Sequence, residues 1–479
     1  MIFRQLAKDT AIYGGADFAG KIVSFISFPI IAAVLSPLAF GTLELIGTST
    51  TLLGLFMNCG LNNAIHRYYW DQDTPENQRP TLVSSGLTAQ IVFGLATLGL
   101  GLSLLPWALQ QVHQASLPLS WVGLVAALLF MVASQWLQFN LDVLRLHFAA
   151  VQFLIVTFLS RICSVLLALL VVVKWHGGVD GLLMAQAVVA FAALPLALWM
   201  VRKDITLAID PVWVRELVHF GYPFIFASLG YWLFGSMDRW MLASMSSVTE
   251  TGIYSVAFRF ASMVLFISTA FGQAWSPIAI KVRTDHPAQY RTIYAQTLLL
   301  LLAIMLVIGG GLSLFAGEII VVLMPPEYAH SALPLAILCF GIVLQSTQQI
   351  TAIGIALEKK TSLFANLTWL TAGINLALNW VWIPQYGAAG AAWATAISYF
   401  TLTGSYLLFT QRLHPLPIQW GRLVLLTMVG VAIAVVSLYF LASAIIWTTI
   451  VFKLMMLLTS TVLLWMLLPT KTLSYGGMP

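Results

Sequence analysis

Five basic side chains, Lys21, Arg161, Arg239, Arg259 and Lys453, lie inside or at the edge of stretches otherwise apolar enough to cross a bilayer. A charge at that depth costs at least ~2.5–3.5 kcal/mol on insertion scales, so it faces a protein interior or a water-filled cavity. Only Asp17 and Asp238 are obvious local partners for the five. Spare positive charge in an apolar interior points to a path for an anion. Arg suits a phosphate in particular, because its planar fork donates two hydrogen bonds to one group.

Each base has two readings. Arg161 sits mid-span in Phe158-Leu159-Ser160-Arg161-Ile162 with no acid in its own helix. It either faces substrate or pairs with an acid on another helix, such as Glu44. Arg259, in Ala257-Phe258-Arg259-Phe260-Ala261, lines a cavity or closes a structural ion pair. Lys21 follows Asp17 by four residues and shares its helical face, as an internal salt bridge or as a cation released to substrate. Asp238 and Arg239 end the seventh apolar run as an interfacial anchor or a binding pair. Lys453 is expected to snorkel to a surface, and Lys453→Ala is expected to do little.

Other polar groups extend the list. Tyr231 and Trp232 either stack on a ligand or belong to the interface belt or core. Asn375 and Asn379, one turn apart, either bond hydroxyls or hold helices together. Coupling to H⁺ or Na⁺ would fall to Asp17, Glu44 or Asp238. No enzyme motif and no Gly-rich nucleotide loop is present, and Cys59, Cys163 and Cys339 lack metal-ligand spacing. No catalytic residue, cofactor or metal is expected, and ATP is not the direct energy source.

The elements that must carry these groups follow from composition. Of 479 residues, 60% are hydrophobic and 8% charged, against ~25% charged in soluble domains. Apolar runs long enough to cross ~30 Å of hydrocarbon recur throughout, whereas the short alternating strands of a membrane barrel do not. The fold class is therefore an all-α polytopic membrane protein. About fourteen spans centre on 11–35, 40–65, 82–106, 119–141, 148–173, 178–200, 217–241, 250–275, 294–322, 331–356, 361–383, 387–410, 420–442 and 445–468. The span at 294–322 is over-long, and its Gly309-Gly310-Gly311 run is expected to bend or break it. The first run reads as a retained helix, not a removable signal.

With the N-terminus in the cytoplasm, sixteen of the 22 Lys and Arg fall on the cytoplasmic side. Arg145, Arg202, Lys203, Lys359 and Lys360 are among them. Apart from the intramembrane five, only Lys174 lies outside, as the positive-inside rule requires. That asymmetry explains the pI near 9.1. No Lys/Arg run exceeds two residues, which argues against nucleic acid as a partner.

The halves echo each other. Ser36-Pro37-Leu38-Ala39-Phe40-Gly41-Thr42-Leu43 and Ser247-Val248-Thr249-Glu250-Thr251-Gly252-Ile253-Tyr254 are both short polar turns that open a long helix. Six spans per copy is an even number, so the copies would share one orientation, with a cavity between lobes. Turn chemistry alone could also make two such segments agree. The expected organisation is an N-lobe at 1–201, a cytoplasmic linker at 202–216, a C-lobe at 217–411 and a helix pair at 412–479.

Several segments carry a family resemblance: Asp238-Arg239 leading into Thr251–Ala257, Pro326-Glu327-Tyr328, Leu35-Ser36-Pro37 through Phe40-Gly41, and Asn375-Leu376-Ala377-Leu378-Asn379. The most specific is Ile383-Pro384-Gln385-Tyr386-Gly387-Ala388-Ala389-Gly390-Ala391-Ala392. On these residues the chain resembles the Wzx-type flippases, in the polysaccharide-transporter branch of the multidrug/oligosaccharidyl-lipid/polysaccharide (MOP) superfamily. The resemblance implies two six-helix lobes (a parallel pseudo-repeat) plus two C-terminal helices. It implies movement of an undecaprenyl-pyrophosphate-linked oligosaccharide from the cytoplasmic to the outer leaflet by alternating access. The product pathway would be O-antigen, capsule or exopolysaccharide synthesis, at a bacterial inner membrane, with both termini cytoplasmic. Its partners would be the lipid-linked glycan, membrane lipids, and the polymerase and chain-length components of an assembly complex.

Two alternatives stand beside it. A cation or drug antiporter of the same superfamily needs intramembrane carboxylates to hold its cargo. A membrane glycan polymerase or ligase needs a large outside loop, and the longest candidate here, around 107–118, is short.

Overall fold

The computed structural model describes residue 20 and the ranges 22–72, 74–206, 208–358, 360–441 and 447–468. All regular structure among these residues is helical. The chain divides into two compact units, Met1–Ser236 and Met237–Pro479.

The first unit contains α1 (Ile22–Val34), α2 (Pro37–Asn58), α3 (Leu61–Tyr68), α4 (Arg79–Ser103), α5 (Leu105–Gln114), α6 (Trp121–Leu146), α7 (Ala150–Leu169) and α8 (Gly178–Val201). The division falls within α9 (Pro211–Met245). Early α9 belongs to the first unit's core, where Leu217 is fully buried among Leu61, Ile65, Leu82 and Val83.

The second unit continues with α10 (Val248–Asp285), α11 (Tyr290–Leu314), α12 (Ala316–Leu323), α13 (Ala332–Ser346), α14 (Gln348–Thr351), α15 (Ile353–Leu357), α16 (Thr361–Leu413), α17 (Trp420–Tyr439) and α18 (Trp447–Leu467). Eleven segments are long and apolar enough to cross a membrane, and α1 is a shorter apolar helix. At 53 residues, α16 would run roughly 80 Å if straight, more than twice a hydrocarbon core. It bends at Gly387, whose φ of 52° and ψ of −130° are not helical. Counting its halves separately and adding α1 gives the fourteen helices expected.

The two echoing segments share one device. Ser36 Oγ accepts from the Ala39 N–H at the start of α2, and Ser247 Oγ accepts from the Glu250 N–H at the start of α10. Each is a serine N-cap satisfying a backbone donor that a helix start leaves open.

The α10 start also organises the bend in α16. Glu250 Oε2 accepts from the Ala388 N–H at 2.7 Å, and a Cβ on Gly387 would lie 2.6 Å from that oxygen. The backbone donor freed by the break thus meets a carboxylate where no water need reach it. The most family-specific stretch of the sequence is therefore a capped helix break.

The triple glycine behaves otherwise than expected. Helix α11 runs unbroken through Gly309-Gly310-Gly311 and ends at Leu314. A Cβ on Gly309 would lie 2.3 Å from Val343 Cγ2, and one on Gly310 would lie 3.2 Å from Ile433 Cγ2. The glycines form a flat face against α13 and α17, and that packing outweighs their weak helix preference.

The segment after α8 is tied to the first unit. Ser84 Oγ accepts from the Thr206 N–H at 2.7 Å, and Ser85 Oγ from the Asp210 N–H at 3.0 Å. Buried Asp204 meets His147 Nε2 at 2.6 Å and accepts from the Tyr69 hydroxyl at 3.3 Å. Burial and the nearby Asp204 charge push the Tyr69 hydroxyl up to about 12.

Gly387→Ala should lower the apparent melting temperature of the detergent-solubilised protein, at a cost of about 1–3 kcal/mol for the forced backbone. Gly373→Ala, in the same helix with nothing within 4 Å of its Cβ, should melt at or above the wild-type temperature. Equal melting of the two variants in scanning fluorimetry would remove the capped break as the reason for Gly387.

Candidate functional site

Three helices of the first unit, α6, α7 and α8, enclose a cavity of about 340 Å³. Two arginines line it, Arg145 from the last turn of α6 and Arg161 from the middle of α7. Ser134, Gln138, Thr157, Ser160, Ser164 and Gln186 supply hydroxyls and carboxamides, and Phe130, Leu137 and Phe153 supply apolar wall. The i, i+3 and i, i+4 spacing of Thr157, Ser160, Arg161 and Ser164 puts these groups on one face of α7.

The two arginines are placed differently. Arg145 Nη1 donates to Asp142 Oδ1 at 3.1 Å, and its guanidinium lies 4.6 Å from the centre of the Phe153 ring. Asp142 also accepts from Asn62 Nδ2 at 2.6 Å and Gln138 Nε2 at 3.0 Å. This charge pair is locally balanced. Arg161 is half-buried, and no carboxylate is among the cavity-lining residues. A Cβ on Gly20 would lie 2.4 Å from Arg161 Nη1, so the absence of a side chain there leaves space for the guanidinium. Such a cavity can accept an anion with hydroxyl groups attached.

In the second unit, Asp238 and Arg239 are 3% and 6% exposed. Arg239 Nη1 donates to Asp238 Oδ1 at 3.1 Å, and the Tyr254 hydroxyl donates to Asp238 Oδ2. The same hydroxyl meets Thr395 Oγ1 at 3.2 Å, and the guanidinium lies 4.8 Å from the Phe258 ring centre. An interfacial anchor would sit at a surface; this pair is interior. Desolvation explains the difference, because once buried each charge needs the other and the hydroxyl.

The remaining expected residues scatter. Asp17 and Lys21 lie outside the described residues. Glu44 is half-buried on α2, and Arg259 is exposed on α10. Tyr231 is exposed, while Trp232 Nε1 donates to the Thr48 carbonyl at 3.0 Å and ties α9 to α2. Asn375 and Asn379 are buried on α16, and Asn379 Nδ2 donates to Asn375 Oδ1 at 2.9 Å. That geometry is a side-chain pair inside the helical packing.

Lys453 overturns its expectation outright. Its side chain is fully buried, and Nζ donates to both carboxylate oxygens of Glu318, at 2.7 and 2.9 Å. The Phe315 ring lies 5.9 Å away. Snorkelling was expected because the lysine lies early in its helix. A buried acid on α12 holds it instead. The signal was Glu318, an acid within Ala316-Gly317-Glu318-Ile319-Ile320, which called for a base at equal depth. Arg145, expected on the cytoplasmic side, stands in the last turn of α6, where Gln138, Asp142 and Arg145 share one helical face.

Comparison with known proteins gives three findings. Residues 6–283 match the family described as "Polysaccharide biosynthesis protein". The "Probable low-salt glycan biosynthesis flippase Agl15" of Haloferax volcanii is 22% identical over 249 residues, covering 51% of this chain and 52% of that protein. The chain therefore aligns with about half the length of that curated relative. Among solved structures, lipid II flippase MurJ in an inward closed conformation superposes with a TM-score of 0.69 at 13% identity, covering 94% of this chain and 97% of that one. An inward-facing multidrug resistance MATE family transporter of the MOP superfamily gives 0.65 at 12% identity, covering 82% and 94%. At such identities the structural matches establish the fold.

Removing one member of the Glu318–Lys453 pair strands a charge in the interior. Lys453→Ala and Glu318→Ala should each cost about 3–5 kcal/mol, read as lower abundance in the membrane and earlier thermal aggregation. Combining Glu318→Leu with Lys453→Met should recover much of the loss. Wild-type stability in both single variants would show that the pair does not hold α18 to α12.

Proposed function

Because the chain belongs to the polysaccharide biosynthesis protein family, we propose that this multi-pass membrane protein is a flippase for a lipid-linked oligosaccharide. It carries an undecaprenyl-pyrophosphate-linked glycan from the cytoplasmic to the outer leaflet by alternating access, in O-antigen, capsule or exopolysaccharide synthesis. The membrane is a bacterial inner membrane with both termini cytoplasmic, and the sequence-based lobes are 1–201 and 217–411 with 202–216 between them. Polymerase and chain-length components are its assembly partners. The glycan flippase relative and the fold shared with a lipid II flippase support this reading.

The observation that carries it is the cavity of the first unit. Arg161 at membrane depth, among serines, a threonine and glutamines, fits a phosphate group attached to a sugar. Lys21 and Arg259 are further candidate cations, Arg239 and Asp238 are paired with each other, and Asp17 and Glu44 are the residues for ion coupling. The antiporter reading is weaker on the same chemistry. The buried span carboxylates Asp142, Asp238 and Glu318 are each matched by a base, Arg145, Arg239 and Lys453, and so are poorly set to hold a cationic cargo.

Depletion of the protein should make one undecaprenyl-pyrophosphate glycan accumulate in lipid extracts, with the matching surface polymer lost. Leaflet-resolved labelling should find that glycan on the cytoplasmic side, which separates blocked flipping from blocked polymerisation. Arg161→Ala, at normal abundance, should reduce transport about tenfold to a hundredfold, the worth of a charge-assisted hydrogen bond, while Arg161→Lys should keep part of it. Unchanged lipid-linked glycans in cells that make them would shift the assignment to an antiporter.

A further inference from the structure

In the second unit, a cavity of about 430 Å³ lies among α10, α14, α15 and α16. Trp275, Gln348, Gln349 and Phe364 shape it, and no Asp, Glu, Lys or Arg lines it. We infer that this cavity is a binding site for a neutral pyranose unit. The inference deepens the flippase reading and rests on it for the ligand's source, the glycan of the lipid-linked substrate.

Three observations carry it. Trp275 is 7% exposed and fixed in place, stacked on Phe271 at 5.9 Å and edge-on to Tyr294 at 5.4 Å. Its ring forms part of the cavity wall, the kind of aromatic surface that lines small-ligand pockets.

The walls also match the ligand. Phe364 stacks on Tyr406 at 4.8 Å with planes 12° apart, which holds its ring in position. Gln348 is oriented by donating to Thr403 Oγ1 at 3.2 Å. Gln349 packs over Gly272, where a Cβ would lie 2.6 Å from the carboxamide, and is exposed. Apolar ring surfaces with carboxamides suit a molecule with a C–H face and hydroxyl rim. The absence of any charged lining group disfavours phosphate or carboxylate. The volume falls in the ~300–1,000 Å³ range of small-ligand pockets.

Third, the helical segment over 332–357 tightens at Thr347 and at Ala352, both still in the right-handed helical region, leaving α14 and α15 as pieces of four and five residues. A tightened turn within a helix often marks a functional hinge or local strain. Gln348, Gln349, Ala352 and Ile353 sit at those turns and line the cavity.

The test uses the full chain in nanodiscs and saturation-transfer difference NMR. The probes are methyl glycosides of glucose, galactose, mannose and N-acetylglucosamine, with methyl glucuronide as the charged control. At least one neutral glycoside should receive saturation above empty nanodiscs, and the glucuronide should not. Gln349→Leu should weaken that signal about fivefold, as for one lost hydrogen bond. Ala356→Trp, filling the cavity from an exposed position, should abolish it, and Gly373→Ala should retain it. Both loss variants leave Trp275 and its packing intact. No neutral glycoside bound, or an undiminished signal in Ala356→Trp, overturns the site. In cells, Ala356→Trp should accumulate the same lipid-linked glycan as depletion does. If depletion changes no lipid-linked glycan while binding stays sensitive to Ala356→Trp, the flippase reading falls and the sugar site stands for a free saccharide.

Discussion

Hydrocarbon offers nothing to a charge or an open backbone group, and that constraint orders the structure. Among the described residues, three buried carboxylates within the spans each meet a base: Asp142 with Arg145, Asp238 with Arg239, and Glu318 with Lys453. Two of the pairs are local, at i, i+3 and at adjacent positions, so they cost the chain no long-range search. The third joins α12 to α18 across 135 positions. It therefore fixes tertiary structure, and α11 supports it with the glycine face against which Ile433 of α17 and Leu457 of α18 lie.

The same constraint acts on the backbone. Where α16 breaks, Glu250 reaches from α10 to take the freed Ala388 N–H, and Ser247 holds Glu250's own N–H. One capping turn thus serves two helices. Thr347 and Ala352 are different: the chain there only tightens within the helical region, so no backbone group needs a carboxylate to close it.

Span number, span order and the all-helical class were legible in the sequence because apolar length reports directly on a bilayer. The Ser36 and Ser247 turns were legible as helix starts because capping is local. The partners of the charges were less so. Lys453 read as a snorkelling residue because its position along one helix was visible and Glu318 on another was not weighed. The glycines of α11 read as a break because propensity is local, while the closeness of Val343 is tertiary. Asn375 and Asn379 were recognised as a one-turn pair, yet nothing in that spacing separates hydroxyl binding from mutual bonding.

Charge compensation also sorts the chemistry of the two cavities. Arg145 comes to its cavity with its own carboxylate, so it shapes the wall without adding net charge. Arg161 faces a wall of hydroxyls and amides. The second-unit cavity is lined by neither acid nor base, only by carboxamides, rings and aliphatic groups. A drug antiporter would need a carboxylate facing one of these spaces, and a phosphate-only carrier would have no use for the uncharged one. A glycan joined to a lipid through pyrophosphate is a molecule whose two polar ends differ in this way, one anionic and one neutral but hydroxyl-rich. The pairing of an arginine cavity with an uncharged aromatic and amide cavity thus favours that substrate class over either alternative.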